Sequence, residues 1–113
     1  MCGVVMVLLT GFRFSWIMSF HVYIMACQSN TAIYIGVASD IRQRVYQHKT
    51  GKGGVHTEKY RIRKLVFFEE HETLAAALYR EKRLKRWNRD WKNQLIAKHN
   101  PNWADLAMET SFI

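Results

Sequence analysis

The chain has 113 residues, with 17 Lys and Arg against 9 Asp and Glu, one Pro and two Cys. That length suits one domain that buries a core without staples, and two Cys that form neither a C-x-x-C pair nor a zinc set exclude a disulfide-rich secreted framework, leaving a reducing cytoplasm as the default. A net charge of +8 favours an anionic partner such as nucleic acid or an acidic membrane face.

Residues 1 to 20 supply 14 of the 55 apolar residues and carry a single charge, Arg13. The run Val4 to Leu9 is far shorter than the roughly 20 residues of a membrane span, so no membrane role is expected. No cation precedes that run and no small-x-small cleavage site follows it, which argues against a signal peptide. Residues 1–19 therefore read as a non-native apolar extension with Met18 as the working start, 20–105 as the folded domain and 106–113 as a tail.

From Phe20 to Cys27, Val22, Ile24 and Ala26 alternate with His21, Tyr23 and Met25, the period of a strand. Turn formers Gln28 to Thr31 lead to a second β-branched run, Ala32 to Val37, so the two form a hairpin with Tyr23 and Tyr34 on one face. Ser39 is the expected cap of a helix to about Lys49, and Gly51-Lys52-Gly53-Gly54 stops it and opens a mobile basic loop. Leu65-Val66-Phe67-Phe68 is a continuous apolar run of the kind found in a strand covered on both faces, and is taken as the central strand. Thr73 caps a second helix to about Trp87, and a third runs from Asn88 to Lys98 before Asn100-Pro101. The order predicts an α+β fold, a small three-stranded, mostly antiparallel sheet flanked by helices.

Three features carry chemistry. On the second helix, Leu74, Ala77, Leu78 and Leu84 define an apolar face that also contains Glu81. An ionised carboxylate there is costly unless a cation or a metal pairs with it, and Lys85 at i+4 is the competing intrahelical partner. On the first helix Arg44 and His48 share a stripe, a phosphate-shaped fork beside a group that titrates near neutrality. Residues 80 to 92 hold seven cations with Trp87 and Trp91 interleaved, and the tryptophans are expected in the core. Lys49, Lys52, Lys59, Arg61, Arg63 and Lys64 form a second basic cluster, with His56 beside it, so the two clusters favour a phosphate-binding surface. His21, His71 and His99 show no ligand spacing.

His21-Val22-Tyr23, Tyr34-Ile35-Gly36, Arg44, His48 and the later Glu81 occur in an order and spacing that resembles the GIY-YIG nuclease family. The likeness covers roughly residues 20 to 105 and is greatest to the small stand-alone bacterial members related to the N-terminal domain of the bacterial repair excinuclease. It implies phosphodiester hydrolysis with one divalent metal, Mg²⁺ or Mn²⁺. By resemblance Tyr34 helps activate the attacking water, Tyr23 is its partner across the hairpin, and Gly36 lets the backbone pass closely beneath the site. Arg44 would hold the scissile phosphate, His48 would hydrogen-bond near the tyrosines or assist proton transfer, and Glu81 would be the sole protein carboxylate on the metal. His21 and Val22 replace the Gly and Ile of the first motif. DNA is favoured over RNA as substrate, branched or damaged DNA in particular, with Lys49, Lys52, His56, Lys59, Lys82 and Arg86 on its backbone. The chain carries no second DNA-binding domain, which leaves a partner protein to target it. The alternative is a non-catalytic nucleic-acid-binding module of the same fold.

Overall fold

The computed structural model describes residues 19–108, so the expectations placed on 1–18 and 109–113 lie outside it. Strands β1 (Phe20–Ala26), β2 (Ile33–Ala38) and β3 (Lys64–His71) form one sheet in the order β2-β1-β3, both pairs antiparallel. Helix α1 (Ile41–Lys49) follows β2, a short helix α2 (Val55–Lys59) follows the glycine run, and α3 (Leu74–Arg86) and α4 (Arg89–His99) follow β3. A closing 3₁₀ turn spans Leu106–Met108. No helix among the described residues is long and apolar enough to cross a membrane.

The expected α+β layout is present, but β1 is the central strand and β3 lies at an edge. From Val22 to Ala26 every residue of β1 is buried. Val22, Ile24 and Ala26 join Ile35, Ala77, Leu84 and Ile96 in one core, while Tyr23 and Met25 join Ile41, Val45, Ile62 and Leu65 in a second. The apolar run of β3 has a different cause. Its register against β1 slips between Ile24↔Phe67 and Met25↔Leu65, leaving Val66 as the extra residue of a β-bulge. Val66 and Phe67, though adjacent, both enter the first core, and Phe68 is 38% exposed.

Asn100 completes that bulge. Its buried amide donates to Val66 O (3.1 Å) and Ala104 O (2.9 Å) and accepts from Ala104 N (3.1 Å). A residue read as a helix stop thus satisfies the carbonyl that the bulge removes from the ladder.

Helix ends follow local chemistry with one correction. The cap of α1 is Asp40 rather than Ser39, its carboxylate accepting from Gln43 N at 3.2 Å. Thr73 caps α3 through Ala76 N, and Asn88 caps α4 through Trp91 N. The glycine-rich loop contains α2, so it is not the wholly irregular segment expected. The packed domain also passes residue 105, since Leu106 and Ala107 lie against the second core and Asp105 bonds Leu65 N, Ala107 N and Lys49 Nζ.

Candidate active site

The hairpin supplies the first two groups. Tyr23 pairs in register with Gly36, and the phenol lies over that glycine: a Cβ there would be 2.7 Å from Tyr23 Oη and 3.0 Å from Tyr34 Cε2. Tyr34 flanks it on the same face, with ring centroids 6.2 Å apart. Only glycine leaves room for both rings over β2.

Helix α1 brings Arg44 and His48 to the same point, because residues four apart share a helix stripe. His48 Nε2 lies 3.2 Å from Tyr23 Oη, and its ring centroid is 5.8 Å from that of Tyr23 and 5.4 Å from that of Tyr34. Arg44 donates through Nε to Tyr23 Oη (3.2 Å), through Nη1 to Gln47 Oε1 (2.9 Å) and through Nη2 to Gly53 O (2.9 Å). The guanidinium is therefore fixed on three sides before any ligand arrives.

Burial sets the charge states. His48 is 2% exposed, and burial together with the Arg44 guanidinium lowers its pKa to about 4, so the ring is neutral at pH 7. Burial raises the Tyr23 pKa against the opposing Arg44 hydrogen bond, and Tyr34 and Glu81 push it the same way as burial, so Tyr23 is a neutral phenol. Arg44 is held in its charged form by the phenol oxygens of Tyr23 and Tyr34, which outweigh the effect of burial.

Glu81 stands at the margin of α3 rather than inside an apolar face. Ala77 and Leu84 are buried, but Leu74 and Leu78 are 46% and 41% exposed, so the face is narrower than the sequence implies. The carboxylate is 17% exposed and lies 3.1 Å from Lys85 Nζ, whose side chain is 52% exposed. An ion pair with one end in water contributes little. No set of three His, Cys, Asp or Glu among the described residues could hold a metal. A lone carboxylate fits an ion that keeps most of its waters and takes its remaining ligands from phosphate, as Mg²⁺ does, and does not fit a zinc site.

Beside Arg44, an open groove of about 290 Å³ is lined by Val37, Ala38, Ser39, Asp40, Gln43, Arg44 and Gln47. Lys52, His56 and Lys59 are exposed on the neighbouring loop and α2, with Lys59 Nζ 5.4 Å from the Tyr60 ring centroid. Lys82 and Arg86 are exposed on α3. Lys49 is held within the fold by Asp105 and by Arg63 O. The structure thus brings together Tyr23, Tyr34, Gly36, Arg44 and His48, with the charge of Glu81 reaching Tyr23. Two members went unread in the sequence. Gly53 packs on His48 and accepts from Arg44, and Gln47 braces Arg44 from one turn along the helix. The glycine run was the only signal for the first, and it reads equally well as a helix stop.

Residues 19–95 match the family model described as GIY-YIG catalytic domain. A UPF0213 protein of Haloquadratum walsbyi is 39% identical over 75 residues, covering 66% of this chain and 83% of that protein. A UPF0213 protein of Staphylococcus aureus is 40% identical over 78 residues, covering 69% of this chain and 94% of that protein. The solution NMR structure of a UPF0213 protein from Bacillus halodurans superposes with a TM-score of 0.52 at 25% identity, covering 82% of this chain and 98% of that one. Two tyrosines over Gly36 with an arginine and a histidine bonded to one of them, together with these matches, establish that the chain belongs to the GIY-YIG nuclease family, among its small stand-alone UPF0213 members.

Proposed function

We propose that the chain is a metal-dependent endonuclease that hydrolyses phosphodiester bonds in DNA, with branched or damaged DNA as its substrate in repair or recombination. The observation that carries this reading is the fixed Arg44 guanidinium between Tyr23 Oη and Gly53 O, beside Tyr34. A preorganised cation aimed at a pentavalent phosphate stabilises the charge that develops there without reorganising during the reaction.

The chain's own groups divide the work by exposure. Tyr34 is the more accessible tyrosine and orients the attacking water, while Tyr23, at 1% exposure, positions Arg44. With its pKa near 4, His48 is a weak base at neutral pH, so its part is to hold the Tyr23 hydroxyl rather than to keep the transferred proton. Glu81 would hold one Mg²⁺ or Mn²⁺, which when bound supplies Lewis-acid stabilisation of the phosphate. Lys52, His56, Lys59, Lys82 and Arg86 would meet the flanking backbone, and a partner protein would direct the domain to its substrate.

The Glu81–Lys85 pair favours the second reading, a binding module in which that carboxylate is only structural. Glu81→Gln separates the two. The purified chain should nick flap or junction DNA with Mg²⁺ or Mn²⁺, and the variant should lose about 10²-fold or more in rate while keeping DNA affinity. Equal rates for the two proteins would sink the catalytic assignment.

A further inference from the structure

We propose that the corner between α3 and α4 is a second nucleic-acid surface, a stacking platform for unpaired bases centred on Trp91, with Tyr79 as a second exposed ring about two turns back along α3. It rests on the reading above for the class of its ligand, but not on cleavage.

Trp91 belongs to neither core. It is 53% exposed in the first turn of α4, against the expectation that both tryptophans of this stretch are core residues, whereas Trp87 packs on the first core. Their rings meet edge to face, with centroids 5.9 Å apart at 87°. Trp87 braces the ring of Trp91 and leaves half of its surface open. The Trp87 ring also meets Arg80, whose Cζ is 5.5 Å from the centroid, and Arg80 is itself held by Glu69. Tyr79, 64% exposed, is braced in the same way by Arg83, whose Nη1 donates to the phenol at 3.2 Å.

The platform is rigid. Asn88 caps Trp91 N at 2.9 Å, and the Arg89 guanidinium ties the start of α4 to the carbonyls of Asn30 and Thr31 in the hairpin turn. Aromatic rings held in place lose little entropy when a base stacks on them.

Charge selects the occupant. Residues 79 to 92 hold seven cations against two acids, and one of those acids is paired with Lys85. An acidic backbone with exposed bases suits both the cations and the rings, since every base has a π-face and stacking is worth about 1–3 kcal/mol per base. The platform is also separate from the site: Tyr79 is two residues, about 160° around the helix, from Glu81. A strand held there would leave the Glu81 side of α3 free for the duplex next to it, which narrows the substrate to junctions between paired and unpaired segments.

The test is anisotropy of labelled oligothymidylate, oligouridylate and duplex DNA with the full chain in EDTA, where no cutting occurs. Trp91→Ala should weaken single-strand binding by about 5- to 100-fold and duplex binding far less. Trp91→Phe should keep most of the affinity, and Tyr79→Ala should show a smaller loss of the same kind. Oligodeoxyuridylate as a further strand separates any preference between the two into its sugar and C5-methyl parts. An unchanged denaturation midpoint for Trp91→Ala excludes a folding defect, and Tyr79→Ala carries the test where that midpoint moves. Single-strand affinity equal to wild type in both alanine variants overturns the platform, whatever Glu81→Gln does to cleavage. A wild-type chain that binds oligothymidylate through Trp91 but never cuts would overturn only the nuclease reading.

Discussion

The imidazole of His48 rests directly on the backbone of Gly53: a Cβ at position 53 would lie 2.2 Å from Nδ1 and 2.9 Å from Cγ. Two more observations converge there. His48 Nδ1 is buried with no hydrogen-bond partner among the described residues, and the Gly53 carbonyl receives Arg44 Nη2. The glycine is required for space, because no other residue lets the loop close onto α1 while fixing both the Arg44 and His48 side chains.

Gly53→Ala should therefore lower stability by about 1–3 kcal/mol, since a ring with no free volume behind it must move. Because that movement also breaks the Tyr23 contact, cleavage should fall by more than the lost folded fraction explains. Urea denaturation paired with initial rates on folded protein checks this. A variant with wild-type stability and rate would show that the loop yields freely.

The neutral state of His48 predicts a pH dependence. Its pKa is about 4 in the fold and about 6.5 unfolded, so between those values the unfolded chain binds a proton that the native chain does not. Stability is thus unaffected by His48 above pH 6.5, falls as pH drops from 6.5 to 4, and levels off below, a loss of about 3 kcal/mol at most. His48→Gln should flatten the stability profile in that window. Denaturation midpoints of both proteins across the range measure it, and parallel profiles would rule out His48 as the source.

Asn100→Ala removes three hydrogen bonds from a buried corner and leaves Val66 O and the Ala104 backbone groups without them. An unsatisfied buried group such as Val66 O costs about 1–3 kcal/mol and the two part-buried Ala104 groups add less, so a loss of about 2–4 kcal/mol is expected, spread over β3 and the C-terminal segment. Hydrogen exchange should rise at β3 before it rises at β2. A loss below about 1 kcal/mol would mean that water replaces the amide.

For the proposed backbone contacts, Lys82→Ala with Arg86→Ala should weaken duplex binding across all sequences alike and reduce the salt slope by about 1–2. An unchanged slope would place the duplex elsewhere on the domain. Lys49→Ala, by contrast, should act on stability through the lost Asp105 contact.

The strands, the cap at Thr73 and the ordered motif Tyr23, Tyr34, Gly36, Arg44, His48 and Glu81 were legible in the sequence. They depend on period, on side chains that bond their own backbone within three residues, and on a recurring motif. The order of the strands was not legible. The run Leu65 to Phe68 looks like a strand covered on both faces, but a bulge turns two neighbours into one core, and β1 takes the centre with an ordinary alternating pattern. Nor could the sequence show that Lys49 is held by Asp105, that Asn100 serves Val66, that Trp91 stands half in water or that Gly53 is the floor beneath His48. Local bonding and periodicity leave a mark within one turn or strand, whereas contacts between segments tens of residues apart leave none, and those contacts fix the charge and aim of the site.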